Sequence, residues 1–149
     1  MSFYREETNI FYIYFQIIKK YKDYIEKSMS EFNLTPAEID VLTFLINNMD
    51  RDVTASMISM HRGISKGLVS RAVGLLKSKN LIELEENITD GRSVYLKIAN
   101  EEDDIIWEIK ALNEKFKEEL IKDLDPEDLK LFLKINNKML NNIKSIEIE

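Results

Sequence analysis

Five cations, Arg62, Lys66, Arg71, Lys77 and Lys79, stand in the fifth of the chain from Val53 to Ile82, "VTASMISMHRGISKGLVSRAVGLLKSKNLI", which contains no Asp or Glu. At this spacing such residues do not make or break bonds. They suit an anionic surface: Lys and Arg neutralise phosphates, and Arg can also grip a guanine edge through two parallel hydrogen bonds. The patch is basic within an acidic protein. Residues 53–82 carry +5 and the remainder −11, for a formal total of −6. Exposed charges are screened beyond roughly 8–10 Å, so a local patch engages a polyanion whatever the total. The acidic remainder keeps the chain soluble and repels phosphates elsewhere.

Bond-making chemistry finds little support. The 149 residues include no Cys and a single His, His61. There is therefore no thiolate nucleophile, no disulfide framework and no thiol redox sensor. Neither a G-x-S-x-G elbow, a P-loop nor a dinucleotide fingerprint occurs, and "GISKG" has the wrong spacing for a phosphate loop. "EEDD" reads as a solvated first turn that complements a helix dipole. A zinc site would have to join His61 to carboxylates alone, so His61 is expected at a helix end near the turn or beside a phosphate. No enzyme activity, cofactor or metal is expected.

The elements that must position the basic patch are mostly helical. An apolar fraction of 44% with 32% charged residues suits one folded domain with a real core. No apolar run approaches the roughly 18 residues needed to span a bilayer, so no membrane partner is expected. The opening "MSFYREETNIFYIYFQIIKKYKDY" lacks the basic start, apolar middle and cleavage site of a signal peptide, so a cytoplasmic location is the expected default. A first helix is expected from about Thr8 to Glu31. Its stripes Phe11, Phe15, Ile18, Ile25, Met29 and Ile10, Tyr14, Ile17, Tyr21, Tyr24 cover more than one ordinary apolar face. Such a helix is wrapped by its own domain or shared with another subunit. In "LTPAEIDVLTFLINN", Thr35, Pro36 and Glu38 form a capping-box start, with Ile39, Leu42, Leu45 and Ile46 facing inward.

A short helix from Ala55 to His61 then follows, with Thr54 as cap and Gly63 as stop. Ser65 caps the next helix. It turns Val69, Ala72, Val73 and Leu76 inward and Lys66, Gly67, Ser70, Arg71, Gly74 and Lys77 outward. After Asn80 the period changes to two: Ile82 and Leu84, then Val94, Leu96 and Ile98, flank the hairpin signal Asp90-Gly91. Asn100 with Asp103 opens a helix whose Ile105, Ile109, Leu112, Phe116 and Leu120 share a face. Asp125, Pro126 and Asp128 open a last one, with Phe132, Ile135, Met139, Ile143 and Ile146 on one face. The order of short helix, turn, basic second helix and hairpin is that of a winged helix-turn-helix. Its second helix can lie in a major groove about 12 Å wide.

These residues resemble the MarR family of bacterial transcriptional regulators. The resemblance covers about Leu34 to Glu101 and rests on "LTPAEIDVLTFL", "ISKGLVSRAVGLLKSKNLIE" and "DGRSVYLKIANEE", with Asp90-Gly91-Arg92 its most specific element. It implies a mainly α fold with a small β-hairpin wing, as one domain over residues 1–149. Within it, 8–31 and 101–147 are a helical dimerisation region and 34–99 is the winged helix-turn-helix. It further implies a homodimer on a pseudo-palindromic operator in double-stranded DNA, repression as its expected sense, and release by a small aromatic or anionic effector. The expected DNA-binding set is Thr54, Ser65, Lys66, Gly67, Ser70, Arg71, Asp90, Arg92 and Ser93. In it Arg71 reads bases, Ser65 and Ser70 hold phosphates, Lys66 serves either role, Arg92 is the minor-groove finger and Asp90 orients the wing tip. Glu83, Glu85 and Glu86 depart from this picture by making the wing's base acidic. An effector pocket lined by Tyr12, Phe15 or Tyr24 is conceivable, although the same residues serve as core. The alternative function is a helical protein-interaction module whose winged helix no longer binds DNA.

Overall fold

A computed structural model describes residues 9–89 and 91–148, which form six α-helices and one antiparallel hairpin. Helix α1 (Ile10–Ser28) starts where the Asn9 side chain accepts from the Phe11 amide at 2.9 Å. The expected start at Thr8 lies outside the described residues. The helix also ends before Glu31. A 3-10 turn, Ser30–Phe32, follows, and Asn33 leaves it at φ 55°. Asn tolerates this left-handed conformation and lets the chain double back within a few residues. Of α1 only Ile25 is buried, with Met29 just beyond it. Phe11, Phe15 and Ile18 are exposed.

Helix α2 (Pro36–Asn47) opens with the expected capping box: Thr35 Oγ1 accepts from the Glu38 amide, and Glu38 Oε1 accepts from the Thr35 amide. Burial is wider than the expected stripe. Ile39, Val41, Leu42, Thr43, Phe44 and Leu45 are all buried, so α2 is the central helix of the core, while Ile46 is half-buried. Helix α3 (Ala55–Arg62) is capped by Thr54, whose side chain accepts from the Met57 amide, and stopped by Gly63 at φ 63°. Helix α4 (Lys66–Ser78) is capped by Ser65 and buries Val69, Ala72 and Leu76, with Val73 half-buried. Between the two helices, Ser59 Oγ donates to the Ile64 carbonyl at 2.6 Å and ties the turn.

Strands β1 (Ile82–Glu86) and β2 (Val94–Ile98) pair antiparallel, with Ile82 opposite Ile98, Leu84 opposite Leu96 and Glu86 opposite Val94. The expected alternation of burial holds only at the root, where Ile82 and Leu96 enter the core. Leu84 and Val94 are each 40% exposed, because the hairpin projects past the body that would have covered them. The Asp90-Gly91 signal falls within a longer connection, 87–93, closed by the Asn87 amide donating to the Ser93 carbonyl. The wing root has a third member that the sequence analysis did not identify. Val53 bridges to β2, its carbonyl accepting from the Leu96 amide at 2.8 Å.

Helix α5 (Asp104–Leu120) starts later than expected. Asn100 serves a preceding turn, accepting from the Glu102 amide, while Asp103 accepts from the Ile105 amide at the helix entrance. Its core residues are Ile106, Ile109 and Leu112; Ile105 and Phe116 are half-buried and Leu120 is exposed, so the inward face is rotated from the expected one. The chain divides into two compact units between Asn113 and Glu114. In the second, α6 (Pro126–Ile143) begins at Asp125, which accepts from the Glu127 amide, with Pro126 in the first turn. No residue of α6 is buried, and the expected apolar face shows Phe132, Ile135 and Ile143 to solvent. No helix among the described residues is long and apolar enough to cross a membrane.

Candidate nucleic-acid interface

Helix α4 carries the basic patch, and its orientation follows from its own core residues. Val69, Ala72 and Leu76 fix which side faces inward. Lys66, Gly67, Ser70, Arg71, Gly74 and Lys77 are then all exposed. The two glycines are not explained by packing inside the chain, since a Cβ added at either would meet nothing within 4 Å. Each costs about 1 kcal/mol in a helix relative to Ala.

Both ends of α4 are held firmly. At its start, Ser65 Oγ accepts from the Leu68 amide at 3.2 Å, which leaves the hydroxyl proton and the free first-turn amides pointing outward. At its end, Asn80 takes φ 58°, the Leu81 amide donates to the Leu76 carbonyl and the Asn80 amide to the Lys77 carbonyl. This is a Schellman motif with Asn in the left-handed position. It sends the chain into the wing with Leu81 buried beside Leu76.

Two of the five cations are committed inside the fold, which sequence reading did not separate from the rest. Lys79 Nζ lies 2.7 Å from Glu38 Oε2 and 3.1 Å from the Asn33 carbonyl. The Arg62 guanidinium sits over the Phe44 ring at 5.8 Å. Lys66, Arg71 and Lys77 therefore form the outward charge of α4. Glu38 itself is fully buried. Burial pushes its carboxyl up, but hydrogen bonds from Lys79 and Thr35, with the Lys79 charge, outweigh that and hold it below the ordinary value.

The expected site residues thus fall in three places. Ser65, Lys66, Gly67, Ser70 and Arg71 share the start and outer face of α4. Thr54 is half-buried, with its side-chain oxygen occupied as the α3 cap. Arg92 and Ser93 belong to the wing connection, Arg92 exposed and Ser93 paired to Asn87 through its carbonyl. Asp90 lies outside the described residues. His61 is an exposed residue in the last turn of α3, its ring 5.6 Å from that of Phe44. Among the described residues no three His, Asp or Glu side chains are grouped to hold a metal.

The comparison with known proteins agrees with this geometry. A sequence profile of the MarR family matches residues 32–93, from the end of the 3-10 turn through the wing connection. Over that segment the chain matches the MarR family. Similarity to solved MarR-type structures extends beyond that segment. A MarR-family transcriptional regulator from Silicibacter pomeroyi superposes with a TM-score of 0.81 at 21% identity, covering 97% of this chain and 96% of the other. A MarR-family regulator from Listeria monocytogenes, solved with a 26mer DNA, superposes with a TM-score of 0.77 at 15% identity over 95% of this chain and 98% of that one. In sequence, the HTH-type transcriptional regulator BilQ of Clostridioides difficile (strain CD3) is 23% identical over 134 residues, 90% of this chain and 88% of its own length.

Of the three aromatic residues considered for an effector pocket, Tyr24 is half-buried against the core. Tyr12 and Phe15 are exposed, and the cleft between α1 and α2 is lined instead by Tyr21, Lys22, Ile25, Glu26, Ile39 and Thr43, among others. It holds about 10 Å³, room for one water at most. Burial raises the Tyr21 phenol above its ordinary pKa, and the Arg62 charge only partly opposes this; the phenol donates to Asn113 Oδ1. A second cleft, between the end of α2 and β2, holds about 70 Å³. Both are below the roughly 150 Å³ that accommodates a benzene ring.

Proposed function

We propose that this chain is a MarR-family regulator: a cytoplasmic, sequence-specific DNA-binding protein that acts as a homodimer, in the sense of a repressor, on a pseudo-palindromic operator. The observation that carries this reading is the outer face of α4. There Lys66, Arg71 and Lys77 surround two glycines that packing does not require, in a stretch cleared of carboxylates. A helix with these properties fits a major groove, with its first-turn side chains on base edges and its N-terminal amides near phosphate. The Listeria monocytogenes relative solved with DNA supports the same use of the fold.

Dimerisation is supported by uncovered apolar surface in each unit. Phe11, Phe15 and Ile18 of α1 and Phe132, Ile135 and Ile143 of α6 are all at least half exposed or nearly so, more than a lone chain leaves bare. In this reading 8–31 and 101–147 form the dimerisation region, and 34–99 the DNA-binding region. Two-fold symmetry places the half-sites about one helical turn apart, 10–10.5 bp. Release by a small aromatic or anionic effector would require the α1–α2 cleft to open, since it is too small for one here.

The test is fluorescence anisotropy of the protein on duplex from upstream of its gene, or on duplex recovered by random-site selection, with salt titration and unrelated competitor. Four to eight phosphate contacts per dimer give a slope of roughly −4 to −7 in log affinity against log salt. Arg71→Ala relaxes base preference, whereas Lys66→Ala weakens all sequences alike and flattens the slope. Retention of full affinity by Arg71→Ala with Arg92→Ala would refute the site. Absence of binding to any selected duplex near 50 mM salt would refute the function.

A further inference from the structure

The outer face of α4 is not uniformly polar. At about 100° per residue, Gly67, Arg71 and Gly74 lie opposite the buried Val69, Ala72 and Leu76. Lys66, Ser70 and Lys77 occupy one flank. The other flank is apolar: Leu68 and Leu75, one heptad apart, are 47% and 38% exposed. Leu68 is the more telling of the two. It sits in the first turn, its amide fixed by Ser65 Oγ at 3.2 Å, and its neighbour Val69 takes the core position, so Leu68 cannot turn inward.

An exposed leucine in this place has a specific counterpart in DNA. The major groove presents one apolar feature, the C5-methyl of thymine, and the N-terminal residues of a recognition helix are those that reach base edges. The one cation on the Leu68 flank, Lys79 at its far end, is paired with Glu38, so a phosphate laid beside Leu68 would find no partner. The flank opposite, with Lys66 and Lys77, is where the backbone charge is met. Glycine at 67 and 74 removes the side chains that would hold the helix off the groove floor. We propose that Leu68 is a specificity-determining residue that packs on a thymine methyl in each half-site, an assignment that rests on the DNA-binding reading above.

The experiment replaces, one at a time, each thymine of a selected operator half-site with deoxyuridine, which deletes only the methyl, and reads affinity by anisotropy. The wild type should lose about fourfold per half-site at one thymine position, the worth of one buried methyl group. Leu68→Ala should bind the parent operator more weakly and be indifferent to that replacement, and Leu68→Met, which restores apolar reach, should regain the sensitivity. A circular-dichroism melt confirms that both variants are folded, as an exposed site leads one to expect. A wild type indifferent to every replacement, or a Leu68→Ala that keeps the full methyl response, overturns the assignment. Salt-dependent operator binding without methyl discrimination sinks Leu68 alone. Absence of operator binding sinks the DNA-binding reading with it.

Discussion

Removing the Lys79 ammonium should strand a buried carboxylate. Glu38 is fully buried at the start of α2, and among the described residues the cation paired with it is Lys79, at the end of α4, 2.7 Å away and 34% exposed. Breaking a buried pair from one side typically costs about 3–5 kcal/mol. Here the partial exposure of Lys79 admits water, and the Thr35 amide continues to hold Oε1, so we expect Lys79→Met to cost about 2 kcal/mol near pH 7. For a chain of this size that corresponds to roughly 6–8 °C in the melting temperature. The pH dependence is the sharper test. In the wild type the carboxyl is held below its ordinary value, so its stabilisation is present above the unfolded pKa, near 4.5, and is lost as pH falls through the folded one. In Lys79→Met, burial is opposed only by the capping bonds. The carboxyl rises, and protonation relieves the variant as the solution is acidified. The gap between the two proteins should therefore narrow from pH 7 to pH 4 in urea or thermal melts. Glu38→Gln in the Lys79→Met background should recover part of the loss, because the neutral amide can keep the capping box. A gap that is constant across this range, or absent at pH 7, would refute the argument.

Three further outcomes are expected. Gly74→Ala should stabilise the free protein by about 1 kcal/mol, since the new methyl meets nothing, yet weaken operator binding; a melt and an anisotropy titration on the same sample check both signs. Tyr21 should ionise above the ordinary phenol value of 10 in an ultraviolet titration. Because its folded pKa is raised, stability should fall as pH climbs past the ordinary phenol value of 10, and Tyr21→Phe should remove both effects. Phe132→Glu on the bare face of α6 should shift the protein from dimer to monomer in sedimentation and reduce operator affinity, with little change in the helical signal.

What could be read in advance was what the chain encodes locally. The caps at Thr35, Thr54, Ser65 and Asp125 were legible because a side chain bonds to an amide two or three residues on. The α4 face was legible for the same kind of reason: its inward residues repeat at helical spacing. Features set by distant partners were not. Glu38 could be read as the third residue of a capping box, but its second oxygen is claimed by a lysine 41 positions away. The part Val53 plays at the wing root was not legible, because a single bridging residue has no period. Leu84 followed the alternation of its strand and is nevertheless exposed, since alternation says which residues share a face and not how far the body beneath them extends. In α5 the apolar residues Ile105 and Ile106 are adjacent, and only the packed neighbours decide that Ile106 is the one inside. Within the candidate site, the basic residues were visible as a group, but which of them are spent on the fold was not.

The bridge from Val53 to Leu96 makes the wing a lever. Val53 immediately precedes Thr54, the cap of α3, and Ala99 at the far end of β2 donates back to the Leu81 carbonyl just after α4. The hairpin root is thus hydrogen-bonded beside both helices of the helix-turn-helix. Any load taken up near Arg92 is carried along β2 and delivered as torque to the starts of α3 and the exit of α4. On the DNA-binding reading proposed above, α4 and the wing then swing together, so the angle at which one engages its groove sets the reach of the other.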